Sequence, residues 1–155
     1  MNVINRATWL VDFAEKTIQI IPHSSPAPIE QSPALCLPYR RPRVPKTSLV
    51  VEGVEVKNVL MDTGASGDLY LPKAVLEQLH RNIRPIDSTE VVATCLYTDS
   101  IRRKAYRYSN VTVNGCLFST LTIYQSKSTV MGMGFFQRFD QLYLDTKKRE
   151  LQLYR

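Results

Sequence analysis

The chain is poor in the residues that staple or metallate small domains. Its three cysteines, Cys36, Cys95 and Cys116, are odd in number and lack a CxxC spacing, so no disulfide framework is indicated. His23 and His80 are isolated, too few for a zinc site with cysteine partners. Neither a metal nor another cofactor is expected. No apolar run approaches the ~18–20 residues of a membrane helix. The opening MNVINRATWLVDFAEK lacks the basic-then-apolar plan of a signal peptide. The chain as given therefore reads as soluble, with no membrane partner, and nothing in it names a compartment.

What is present is ordinary for a folded domain: 44% hydrophobic and 22% charged residues over 155 positions, enough for one domain, or one with an arm. Twenty Lys and Arg against fourteen Asp and Glu leave a net charge of +6. That balance invites a nucleic-acid reading. The basic clusters (Arg40-Arg41-Pro42-Arg43, Arg102-Arg103-Lys104, Lys147-Lys148-Arg149) are short, however, and no basic and aromatic stripe accompanies them. Nucleic acid is not an expected partner.

Prolines divide the chain. Seven of the nine fall between Pro22 and Pro45, where they preclude a helix and suggest an extended connector over 22–45. It separates a short segment, 1–21, from a main body, 46–155. The body reads as strands. Thr47–Val51 and Val54–Met61 flank Glu52-Gly53, a hairpin signal. Glu90–Tyr97 is β-rich, Tyr106–Val113 alternates into the turn dipeptide Asn114-Gly115, and Leu117–Tyr124 follows. Gln141–Leu144 and Glu150–Tyr154 pair across Thr146–Arg149. One helix is expected over Pro72–His80, with Pro in its first turn and Val75, Leu76 and Leu79 on one face. An all-β domain with one or two short helices results.

The two ends resemble each other. Met1–Asp12 aligns with Met133–Asp145 with one gap before Trp9, and Lys16–Ile20 then continues in register with Arg149–Leu153.

The segment with chemical content is Val59-Leu60-Met61-Asp62-Thr63-Gly64-Ala65-Ser66. An apolar strand delivers a carboxylate into a glycine-containing turn. An ionised buried Asp costs several kcal/mol unless partnered. The glycine N–H and the Thr and Ser hydroxyls are suitable donors. An isolated Asp-Thr-Gly is usually an Asx-turn at a strand end. Here a second apolar strand, Thr129-Val130-Met131-Gly132, follows and runs into Met133-Gly134-Phe135-Phe136.

Together these elements resemble the retropepsin-like aspartic proteases, in which an Asp-Thr-Gly-Ala/Ser loop precedes a flap hairpin, an apolar-apolar-Gly strand, a short helix and closing strands. The resemblance covers about 47–154, and 1–21 resembles the closing strands of a preceding unit. It implies a retropepsin-like closed barrel or sandwich. It also implies an aspartic endopeptidase whose catalytic residues are Asp62, Thr63 and Gly64. Such hydrolysis uses two aspartates ~3 Å apart that share one proton and divide into base and acid. This chain has one Asp-Thr-Gly, hence half a site. A homodimer, or a second lobe, would complete it around a peptide or protein substrate. By the same resemblance Thr63 locks the paired loops together, Gly64 admits water and substrate, and Ser66 orients the carboxylate. Ala65, Ser66, Leu96, Tyr97, Met131 and Gly132 are the expected substrate-binding positions.

The flap candidate, Val92–Tyr108, departs from the family habit: it contains no glycine. With the basic surface and the Pro-rich arm, this motivates the alternative of an inactive dimerisation or binding module with the same fold. Leu69-Tyr70-Leu71 and Phe135-Phe136 are expected in the core rather than in a side-chain pocket.

Overall fold

A computed structural model describes residues 7–25, 29–40, 44–95 and 98–155. In chain order the elements are β1 (Thr8–Asp12), β2 (Thr17–Ile21), β3 (Leu35–Pro38), β4 (Lys46–Val51), β5 (Val54–Asp62), β6 (Leu69–Leu71), α1 (Lys73–Asn82), β7 (Asp87–Cys95), β8 (Thr98–Val113), β9 (Cys116–Gln125), β10 (Val130–Gly132), α2 (Met133–Phe136), β11 (Gln141–Asp145) and β12 (Glu150–Tyr154). Among the described residues the fold is all-β with two short helices, in two sheets ordered β4-β5-β10-β6-β9-β8-β7 and β2-β1-β11-β12-β3. Among the described residues no helix is long and apolar enough to cross a membrane.

Local chemistry sets the hairpins. Glu52 and Gly53 take φ of 47° and 77°, and Asn114 and Gly115 take 48° and 80°. Two consecutive positive-φ residues give the tight turn whose twist matches the flanking strands. Pro72 sits just before α1 in extended conformation, and the helix buries Leu76 and Leu79. Its missing N–H costs nothing at a helix start.

Two strands are not apparent from sequence alternation. β6 is buried along its whole length in the interior of the larger sheet, so its residues are apolar throughout. β3 lies inside the Pro-rich stretch and forms an edge of the smaller sheet, with Leu35 and Leu37 buried and Cys36 and Pro38 outward. An edge position tolerates proline because one side of the strand needs no donor. The main core is built from β3–β6, α1, β8–β10, α2, Phe139, β11 and β12. A smaller cluster joins Leu10, Ile21, Tyr143 and Tyr154.

Candidate active site

β5 runs through the core with Val56 and Val59 buried and ends on Asp62, which is half-buried. β10 lies beside it in parallel register, Val130 opposite Leu60, Met131 opposite Met61 and Gly132 opposite Asp62. β10 also pairs antiparallel with β6. One short strand therefore sits between the strand that enters the Asp62 loop and the strand that leaves it. The loop's two ends are fixed by a single element.

The loop is then pinned from beneath. The Ala65 N–H donates to the Asp62 carbonyl (3.2 Å), Met133 N–H to the Ala65 carbonyl (2.6 Å) and Gly132 N–H to the Asp68 carbonyl (2.9 Å). The approach is close enough to require glycine. A Cβ on Gly132 would stand 2.3 Å from the Gly67 carbonyl oxygen and 2.5 Å from that of Ala65. A Cβ on Gly67 would meet the Tyr124 ring at 2.4 Å and the Tyr70 hydroxyl at 2.7 Å. Gly67 N–H donates to that hydroxyl at 2.9 Å.

Above this base the Gly64 N–H donates to Asp62 Oδ1 at 2.9 Å. Thr63, Gly64 and Ser66 are exposed and Ala65 is half-buried. The arrangement presents one carboxylate, one of its oxygens held by a backbone donor, at the rim of a rigid loop. Of the other expected substrate contacts, Met131 is fully buried in the core and Gly132 is buried under the loop, so neither offers an open surface to a substrate. Leu96 and Tyr97 lie outside the described residues. Leu69, Tyr70, Leu71, Phe135 and Phe136 are core, as their apolar character suggests.

Three supporting residues do not emerge from the motif. Asp68 is 6% exposed and takes a two-pronged contact from Arg138, Nε to Oδ1 at 3.0 Å and a terminal guanidinium nitrogen to Oδ2 at 2.5 Å, while Thr122 N–H donates to Oδ2 at 2.8 Å. This ties the loop to β9 and to the residues after α2. The sequence carries a trace of the pair: Asp68 abuts Leu69-Tyr70-Leu71, and Arg138 stands among Phe135, Phe136 and Phe139. A charge inside an apolar run needs a partner. Arg103 is the third. Its guanidinium carbon lies 5.3 Å from the Tyr70 ring centre, and Tyr70 stacks on Tyr124 at 5.0 Å. The β8 strand thereby reaches the wall of the loop through a cation–π contact. Burial, with Tyr70 and Asp68 nearby, raises the Tyr124 phenol above its ordinary range.

No family model matches the chain, and no curated protein matches it. Among solved structures it is similar to a retropepsin-like aspartic protease from Rickettsia conorii. The likeness covers 77% of this chain and 89% of that one, at 20% identity and a TM-score of 0.49.

Proposed function

We propose that this chain supplies one half of an aspartic peptidase site, with Asp62 as its catalytic carboxylate. The observation that carries the reading is the placement of Asp62 opposite Gly132, at the end of an inner strand, on a loop clamped from below and open above. A carboxylate held this rigidly at a surface suits a reaction that requires it to meet a second one at fixed separation.

In that reaction one carboxylate takes a proton from water. The water oxygen attacks the peptide carbonyl carbon, and the protonated partner gives its proton to the carbonyl oxygen. The resulting diol collapses with cleavage of the C–N bond and protonation of the leaving amine. The pair titrates as a unit. Thr63 and Gly64, exposed beside Asp62, are assigned to the contact between paired loops and to the entry of water and substrate. Ser66 and Ala65 border the substrate path. The hairpin of β7 and β8 is the covering element, with Arg103 linking it to the loop wall.

The test is cleavage of a peptide library across the acidic range by an assembly in which two such loops meet, with and without a pepstatin-type inhibitor. Asp62→Asn keeps the side-chain shape and removes the ionisable group, so cleavage falls by at least about 10²-fold while the fold persists. Undiminished cleavage by Asp62→Asn overturns the proposal.

A further inference from the structure

The two hairpins of the smaller sheet are copies of each other at one constant offset. Thr8 pairs with Ile21 and Asp12 with Thr17; 133 positions later Gln141 pairs with Tyr154 and Asp145 with Glu150. The turns match at the same offset. Lys16 has φ 56° and Arg149 φ 58°. Asp12 Oδ1 accepts the Glu15 N–H at 2.9 Å, and Asp145 Oδ1 accepts the Lys148 N–H at 2.9 Å.

The hairpins also meet symmetrically. In the β1–β11 ladder Leu10 stands opposite its own counterpart, Tyr143, and the flanking pairs Trp9–Leu144 and Val11–Leu142 exchange under the same offset. A local two-fold axis therefore passes through the Leu10–Tyr143 pair, perpendicular to the sheet. The small cluster of Leu10, Ile21, Tyr143 and Tyr154 consists of two counterpart pairs around it.

The symmetry fails on one face. Leu151 and Leu153, under the main core, are 2% and 0% exposed, whereas their counterparts Ile18 and Ile20 are 65% and 60% exposed. Ile18 pairs with Val11 and Ile20 with Trp9, as Leu151 pairs with Leu144 and Leu153 with Leu142, so both sets lie on the same face of the sheet. Among the described residues, that face carries the main core over β11 and β12, which reaches as far as Val11 and Phe13 and leaves Ile18 and Ile20 of β2 uncovered.

We infer that β1–β2 is the closing hairpin of a second lobe with the strand plan of residues 46–136, whose core covers Ile18 and Ile20. The inference rests on the aspartic peptidase reading only in assigning that lobe the second carboxylate. A second copy of this chain cannot take the same place by pairing on β11, because β11 is already flanked by β1 and β12. The axis sets the lobes side by side on one face of a shared sheet, each with its loop related to the other by the two-fold. This differs from a homodimer of identical chains in a checkable way.

Two experiments decide it. On the full chain, hydroxyl-radical footprinting oxidises Ile18 and Ile20 several-fold faster than Leu151 and Leu153, and sedimentation gives the mass of one chain at all concentrations. A concentration-dependent dimer that Ile18→Lys with Ile20→Lys abolishes assigns the face to a second copy and overturns the inference. The second experiment supplies the lobe from the chain itself. Residues 22–132 are joined ahead of Met1 of the full chain, so that Met1 follows the copy of Gly132 as Met133 follows the original. Oxidation of Ile18 and Ile20 then falls to the level of Leu151 and Leu153. Continued fast oxidation, with Leu151 and Leu153 still protected, overturns it. Peptide cleavage is read separately. Protection without cleavage leaves the lobe standing and removes the peptidase reading, whereas cleavage lost on Asp62→Asn in either copy supports both.

Discussion

Asp68 and Gly132 do different work for the same loop. Asp68 is a buried carboxylate whose charge is answered by Arg138 and by the Thr122 N–H. Truncating Arg138 to Ala leaves that charge with one backbone donor. Breaking a buried pair by removing one partner costs about 3–5 kcal/mol, and Arg138, 28% exposed at its side chain, places this pair at the lower end. A fall of about 3 kcal/mol in urea denaturation is expected; a loss below about 0.5 kcal/mol would class the pair with screened surface pairs. Gly132 acts through absence. Gly132→Ala sets a methyl against the Gly67 and Ala65 carbonyls, which belong to backbone already fixed by hydrogen bonds. The expected cost is near the top of the ~1–3 kcal/mol range for overpacking, with the Asp62 loop displaced. Unchanged stability together with an unchanged Gly64 amide resonance would contradict this.

Elements that specify themselves were legible in the sequence, and elements specified by their neighbours were not. Glu52-Gly53 and Asn114-Gly115 encode their hairpins in two residues, and the structure has both turns. β6 and β3 are three and four residues long and take their strand state from the sheets they join, so no period marks them. The candidate site divides in the same way. Asp62-Thr63-Gly64 is contiguous and visible, whereas the Asp68–Arg138 clamp spans seventy positions and the Arg103–Tyr70 contact thirty-three. The end-to-end likeness was legible as a pattern, but its two-fold register needed the ladder. That ladder has a pH-sensitive fastening. The Glu15 N–H, followed by the Gln141 side chain (2.7 Å), holds the Asp12 carboxyl below its ordinary range. A lowered carboxylate pKa contributes stability that is present above the ordinary carboxylate range and lost as pH falls through the lowered value. Amide protection factors along β2 should therefore drop as pH falls through that lowered value. Asp12→Asn should remove the drop, and an unchanged acid response of β2 in Asp12→Asn would exclude the mechanism.

At the scale of the whole molecule, the proposed function would place stability and activity on different surfaces. Thr63 is exposed on the loop and lies between β5 and β6, outside the strands and helices. Its proposed partner is the loop brought by the second lobe. Thr63→Val keeps the shape, removes the hydroxyl, and at an exposed position changes the stability of the chain by no more than about 0.5 kcal/mol. On the proposed reading, the same substitution in both loops of a two-lobed assembly removes the hydrogen bonds that hold the two proton-sharing carboxyl groups at close range. The pair then separates, each carboxylate titrates more nearly alone, and the splitting between the two apparent pKa values narrows. The pH profile of cleavage, bell-shaped because one proton must remain on the pair, should contract toward a narrower acidic optimum as its maximum falls. Unfolding curves of the single chain and pH–rate curves of the assembly therefore read different things. If Thr63→Val lowers the melting temperature of the single chain as much as it lowers cleavage by the assembly, the hydroxyl acts within its own lobe. The interface role assigned to this loop would then be wrong.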